Sequence, residues 1–227
     1  MYLEQGIMED MKHWIPEQGT PQGAIISPLL ANIFLNPLDH EMARQGMEMV
    51  RYADDFVMLC PSREQAEKAL KLVQDWTQEQ SLTLHPEKTR IVDANVKGGF
   101  DFLGYHFDVD GKRWPRKKSE QKFRDTIRAH TRRNNGHSME RIIQQINPIM
   151  RGWYGYFKHS VKVTFRTLDG WVRMRLRSIL RKRSKRKGRG RGADHQRWPN
   201  AYFAEAGFFS MYEARLRDAH SAQAVNH

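Results

Sequence analysis

The chain of 227 residues holds a single cysteine, Cys60. No internal disulfide can form, and no Cys-rich zinc site can be assembled. Cys60 closes an apolar run and reads as a small core residue rather than a nucleophile. One thiol fits a reducing compartment, so a cytoplasmic location is expected. Long apolar runs are also missing. Nothing approaches the roughly 20 residues of a membrane-spanning helix. Met1 to Trp14 carries Glu4, Glu9 and Asp10 where a signal peptide would be basic and then apolar. No membrane partner is expected, and Glu9 and Asp10 read as solvated helix or loop charges.

Acidic residues are scarce in the second half. Residues 111–227 carry 29 Lys and Arg against 8 Asp and Glu, a net +21. Residues 1–110 carry 9 against 18, a net −9. A reversal of this size implies two functional regions, one of which faces a polyanion. Nucleic acid is the first candidate and an anionic membrane surface the second.

Residues 1–110 read as mixed α and β with antiparallel hairpins. Ser27-Pro28 predicts a helix start, with Ser27 as N-cap and Leu29, Leu30, Ile33 and Phe34 at helical spacing. Ser62 with Gln65 predicts a capping box on a second helix, whose apolar face is Ala66, Ala69, Leu70, Val73 and Trp76. Short strands are expected at Leu82-Thr83-Leu84 and around Thr89–Val92, a longer one from Phe100 to Val109, and a hairpin at Asp110-Gly111. The rest is helical. One helix holds Phe123 and Ile127. Ser138 opens another that closes at Asn147-Pro148, and Trp153, Tyr154 and Phe157 lie on a third. The fourth runs from about Thr164 to Arg183, with Arg166, Arg173, Arg177 and Arg181 opposite its apolar stripe. Ser184 to Gly192 reads as a flexible, exposed linker before an aromatic tail.

Tyr52-Ala53-Asp54-Asp55 carries the sharpest chemical signal. Flanked by Met49-Val50 and Phe56-Val57-Met58-Leu59, it reads as a tight hairpin with two acids at its tip. Two carboxylates at about 5 Å and an effective dielectric near 20 repel by about 3 kcal/mol. Water or bound cations must offset that. Mg²⁺ on paired carboxylates serves phosphoryl transfer, while an ordinary acidic turn is the plainer alternative. Gly19-Thr20-Pro21-Gln22-Gly23 forms a loop whose backbone can approach a ligand closely. Arg173, Arg177, Arg181, Lys182 and Arg183 belong to a dense cationic stretch that reads either as RNA-binding or as a solvated helix face. Trp153 and Tyr154 can stack bases or fill helix core.

Gly19 to Asp39, followed by Arg51-Tyr52-Ala53-Asp54-Asp55-Phe56, resembles the palm of reverse transcriptases encoded by bacterial group II introns. Leu82 to Thr89, Phe102-Leu103-Gly104-Tyr105, and Ile146-Asn147-Pro148 with Arg151-Gly152-Trp153, Tyr156-Phe157 and Leu168-Asp169 arrive in that family's order. The last group resembles its maturase region, or domain X, which doubles as the thumb.

The resemblance implies an α+β fold: a partial palm over 1–110, an all-helical thumb over 111–183, and a basic linker and tail over 184–227. It implies RNA-directed DNA polymerase activity with Mg²⁺ on Asp54 and Asp55, and Lys88 at the leaving pyrophosphate. Gly19, Pro21, Gln22, Gly23 and Tyr52 would border the nucleotide and template. Phe102, Leu103, Gly104 and Tyr105 would form the primer grip. Arg151, Lys158, Arg166, Arg173, Arg177, Arg181, Lys182 and Arg183 would bind RNA. The implied partners are intron RNA, a DNA primer or target and deoxynucleotide triphosphates.

Two departures matter. Ala24 stands where this family often has glycine. The family's upstream catalytic aspartate and fingers have no counterpart before Gly19, so the expectation is weak or absent polymerase activity in isolation. An N-terminal palm and fingers partner chain is one way to complete it. An RNA-binding maturase without polymerase activity is the alternative.

Overall fold

The computed structural model describes residues 7–9, 12–14, 26–96, 98–188 and 192–225. The fold is α+β, and the chain divides into two compact units, residues 1–93 and 94–227. In the first, β1 (Ile7–Glu9) and β2 (Lys12–Trp14) form a two-stranded antiparallel pair. Glu9 therefore lies on a strand rather than on a helix or loop, and Asp10 lies outside the described residues. Then come α1 (Ser27–Arg44), β3 (Glu48–Tyr52), β4 (Asp55–Leu59) and α2 (Arg63–Glu79).

The Ser62 cap forms as its spacing predicts: the Gln65 backbone N–H donates to Ser62 Oγ at 3.2 Å. The Ser27 cap does not. Ile26 occupies the N-cap position without a side-chain bond, and Ser27 is already helical. Leu38, Met42 and Val73 pack where α1 and α2 meet the inner face of β3–β4, with Met49, Phe56 and Met58 against them. The strands expected at 82–84 and 89–92 are absent. His85 instead accepts from the backbone N–H groups of Lys88 and Thr89, closing a turn. Strand propensity without a pairing partner does not make a strand, because sheet stability lies in cross-strand contacts.

The second unit opens with a three-stranded antiparallel sheet: β5 (Phe100–Phe102), β6 (Tyr105–Phe107) and β7 (Arg113–Pro115). The single strand expected from Phe100 to Val109 is thus a hairpin. Leu103 and Gly104 both have positive φ, +46° and +78°, as a two-residue hairpin turn requires. The Asp110-Gly111 turn forms as expected, with Gly111 N–H donating to Asp108 and Asp108 N–H to Lys112. Gly99 cannot be replaced without distortion. A Cβ there would lie 1.9 Å from the Phe107 carbonyl oxygen.

Helices α3 (Lys117–His130), α4 (Met139–Phe157) and α5 (Lys162–Arg183) follow, then α6 (Asp194–Arg197), α7 (Asn200–Glu205) and α8 (Met211–Val225). Ser138 caps α4 as predicted, accepting from Arg141 N–H at 3.2 Å. The expected break at Asn147-Pro148 does not occur: α4 runs through Pro148. An interior proline costs about 3 kcal/mol. The buried stripe Ile142, Ile143, Ile146, Met150, Tyr154 and Phe157 spans that point and offsets the loss. Asn147 turns outward to the tail, donating to the Gly207 carbonyl at 2.8 Å and accepting from Phe209 N–H at 2.9 Å.

The aromatic tail shares the core of the helical unit. Trp198, Phe203, Phe208 and Met211 pack with Phe165, Leu168, Leu176 and Ile179. Asp169, 0% exposed, reaches from α5 to cap α8. Its carboxylate accepts from Ser210 Oγ at 2.7 Å, Tyr212 N–H at 3.0 Å and Met211 N–H at 3.2 Å. Such a cap satisfies the otherwise unpaired amides of a helix start. Tyr154 donates to Asp218 on α8 at 2.5 Å, and burial together with that carboxylate raises the phenol above its ordinary pKa.

Candidate functional site

The acidic turn is built by the β3–β4 register. Pairing runs from Glu48↔Leu59 to Tyr52↔Asp55, leaving Ala53 and Asp54 as the connection. Ala53 sits at φ +55°, a left-handed conformation that costs a non-glycine residue roughly 1–2 kcal/mol. Arg51 holds it. Nη1 donates to the Ala53 carbonyl at 2.7 Å and to Asn32 Oδ1 at 2.9 Å, Nε donates to Asp39 Oδ1 at 2.8 Å, and Nη2 pairs with Asp39 Oδ2. These contacts tie the turn to α1. The Asp39 hydrogen bond raises the pKa of Arg51.

Asp54 and Asp55 are exposed, and among the described residues neither has a hydrogen-bond or ion-pair partner. Tyr52 is 69% exposed beside them. No group of three or more metal-ligating side chains occurs among the described residues. Two free carboxylates thus supply hard oxygen donors suited to Mg²⁺, but not a complete coordination shell. Gly19, Pro21, Gln22 and Gly23 lie outside the described residues. Lys88 is exposed in the turn after α2.

In the second unit, the Leu103–Gly104 turn is latched to α3 and α4. Tyr156 donates through its hydroxyl to the Leu103 carbonyl at 2.7 Å, and Tyr105 donates to the Tyr156 carbonyl at 2.6 Å. Their rings stack with centroids 6.0 Å apart. Gly104 is hemmed in by Ser119, whose Oγ would lie 3.3 Å from an added Cβ. Phe102 and Tyr105 are half-buried.

The cationic residues separate by environment. Arg151, Lys158, Arg166 and Lys182 are exposed, with Arg151 over the Phe209 ring. Arg173 is half-buried over Phe208. Arg177 overturns the expected open cationic face. It is 2% exposed and donates to the Trp198 carbonyl at 2.9 Å and Asn200 Oδ1 at 2.8 Å. The tail covers that side of α5, and burial lowers the pKa of Arg177.

Arg181 pairs with buried Asp194 at 2.6 Å, and Arg183 donates to the carbonyls of Asn135 and His137. Of the expected linker, residues 184–188 and 192 are described; Ser184 is half-buried, Lys185 to Gly188 are exposed, and the segment is tied down at two carbonyls. Arg181 holds the Lys187 carbonyl at 2.6 Å, and Arg133 holds the Gly188 carbonyl at 2.9 Å. These contacts frame an open cavity of about 340 Å³ lined by Arg133, Lys182, Lys185, Arg186, Lys187 and Gly188.

Arg133, Arg51, Asn32 and Asp39 are the residues that motif reading left without a role. Arg133 had a signal in the basic turn Arg132-Arg133 between two predicted helices. Arg51, Asn32 and Asp39 fall inside the two palm-like blocks, but nothing there pairs them, since the partners lie 12 and 19 residues away on another element.

Residues 5–107 match the reverse transcriptase (RNA-dependent DNA polymerase) family, and residues 120–198 match the group II intron maturase-specific domain. The chain belongs to the group II intron reverse transcriptase/maturase family. It is 42% identical over 50 residues to the group II intron-encoded protein LtrA of Lactococcus lactis subsp. cremoris, covering 22% of this chain and 8% of LtrA. It is 29% identical over 164 residues to protein YkfC of Escherichia coli (strain K12), covering 57% of this chain and 42% of YkfC. The match thus spans less than half the length of either relative. Both family matches fall where the motif order of this reverse transcriptase/maturase chain puts them. Among the described residues, no helix is long and apolar enough to cross a membrane.

Proposed function

We propose that this chain serves RNA-directed DNA synthesis and intron-RNA binding, with residues 1–110 supplying part of the palm, 111–183 the thumb and domain X, and 184–227 a basic tail. The observation that carries the reading is the pair of exposed, unpartnered carboxylates on a fixed turn within the reverse transcriptase match. Asp54 and Asp55 would hold Mg²⁺, completed by substrate phosphate, water or a carboxylate from an N-terminal palm and fingers partner. When bound, magnesium offsets charge on the attacking and leaving oxygens of phosphoryl transfer.

Around that turn, Tyr52 borders the deoxynucleotide triphosphate and template together with Gly19, Pro21, Gln22 and Gly23. Lys88, a solvated cation, meets the developing charge of the pyrophosphate. Phe102 to Tyr105 position the DNA primer end, supported by the tyrosine latch that fixes their turn. Arg151, Lys158, Arg166 and Lys182 contact RNA phosphates, and the cavity around Arg133 and Lys182 to Lys187 extends that surface. Arg177 drops out of this set because it is buried.

Primer extension on an RNA template tests the enzymatic half. We expect the chain to need an added N-terminal palm and fingers polypeptide. Robust synthesis by the chain alone would show that no upstream carboxylate is required. A gel shift with intron RNA tests the binding half. Affinity should fall steeply with salt, and a flat response would contradict a phosphate footprint.

A further inference from the structure

We propose that Arg51 and Asp39 are positioning residues that hold the acidic turn in place, with Asp39 matching the guanidinium charge so that it does not pair with Asp54 or Asp55. The proposal rests on the reading of Asp54 and Asp55 as metal-binding, and on the geometry of four contacts. Arg51 is adjacent to the turn, and its side chain is 10% exposed. One nitrogen, Nη1, grips the Ala53 carbonyl and so fixes the peptide that leads into Asp54. The other two nitrogens face Asp39, which uses both carboxylate oxygens on them, and Asn32 shares Nη1.

The electrostatic consequence is specific. A free guanidinium beside two carboxylates would pair with them and compete with a metal ion. Here its charge is matched by Asp39 on α1, so the acidic pair stays without a protein partner. Asp39 is correspondingly engaged and is a counter-ion rather than a third metal ligand. Lysine could not substitute, because one ammonium cannot bridge a carboxylate edge, an amide oxygen and a backbone carbonyl with fixed planar geometry.

The two roles come apart in a double-mutant cycle on the full chain, read by Mn²⁺ titration with electron paramagnetic resonance and by amide hydrogen exchange. Arg51→Ala should speed exchange at Ala53–Asp55 by about tenfold or more while α2 is unchanged, and Arg51→Lys should not restore it. Asp39→Asn should raise the Mn²⁺ half-saturation by about tenfold, because it releases the guanidinium toward the acids. The double variant Arg51→Ala with Asp39→Asn should recover to within about threefold of wild type, a coupling that simple loosening does not produce.

Equal Mn²⁺ affinity in Asp39→Asn and the double variant overturns the insulation role. Wild-type exchange in Arg51→Ala overturns the holding role. Mn²⁺ binding that Asp54→Asn with Asp55→Asn leaves unchanged, or that is missing from the wild-type chain, sinks the metal reading and the insulation with it. In that case the exchange data still decide whether Arg51 holds the turn.

Discussion

The two units solve the problem of presenting charge in opposite ways. Around the acidic turn, the described core of the first unit is Leu38, Met42 and Val73, while Leu29, Ile33, Phe34, Val50, Tyr52 and Leu59 remain exposed. The second unit buries Phe165, Ile142, Ile143, Met150, Leu176 and Phe203 in one continuous cluster. A two-stranded hairpin is marginal by itself. Helix packing supports one face of β3–β4, and a polar network through Arg51 ties the turn that bears Asp54 and Asp55 to α1. The cationic residues of the second unit stand on helices that packing already fixes. Where packing is thin, hydrogen-bonded charge sets geometry; where it is dense, charge is distributed over a finished surface.

The largest effect separating the two units is expected from Asp54→Asn with Asp55→Asn. In a completed polymerase this pair should reduce primer extension by at least about a hundredfold, while RNA affinity stays within about twofold because no phosphate contact is lost. Equal loss of both would show that the units do not divide the work. Next in size is the cost of emptying the two cores. Phe165→Ala should destabilise the second unit by about 3–5 kcal/mol. Val73→Ala in the first should cost only about 1.5 kcal/mol. Urea unfolding followed by residue-level exchange separates the two, and a reversed order would reject the contrast in packing.

Asp169→Ala asks whether the tail belongs to that dense core. Removing a buried cap leaves two amides unsatisfied and should cost about 2–3 kcal/mol, with exchange rising first in α8. The same carboxyl has a pH signature. Burial pushes its pKa up, against opposing hydrogen bonds from Tyr212 and Ser210 and the charge of Arg173. The folded value lies above the unfolded value of about 3.9. Its contribution is therefore full below the unfolded pKa and is lost as pH rises through the folded pKa. Relative to Asp169→Asn, the wild-type chain should lose stability over that rise; a constant difference across pH would refute the burial effect. The smallest effect is a gain. A Cβ at Gly152 on α4 meets nothing within 4 Å, so Gly152→Ala should raise the second unit's stability by about 0.5–1 kcal/mol in thermal unfolding.

Local signals were legible when the chemistry that makes them is local. Ser62 and Ser138 cap their helices because the accepting hydroxyl and the donating amide are three residues apart. The Asp110-Gly111 turn, with Gly111 at φ +67°, forms from the same short-range information. Pro148 misled because its penalty is local while the compensating stripe runs the length of α4. Leu82 and Val92 misled because strand preference is realised only by a pairing partner. In the candidate site, the acidic tip was legible from the two apolar runs that flank it, but the clamp behind it was not.

The charge division, the apolar stripes of the helices, the acidic hairpin and the order of motifs that marks the family are all written in the order of the residues. It took the folded chain to seal Arg177 under the tail, to bring Asp169 to the start of a helix 42 residues away at Met211, and to let Arg51 serve Asp39 and Ala53 at once. The physical reason is common to all three. Periodicity tells which side of an element is apolar, but the desolvation of a charged group depends on which distant element comes to cover it.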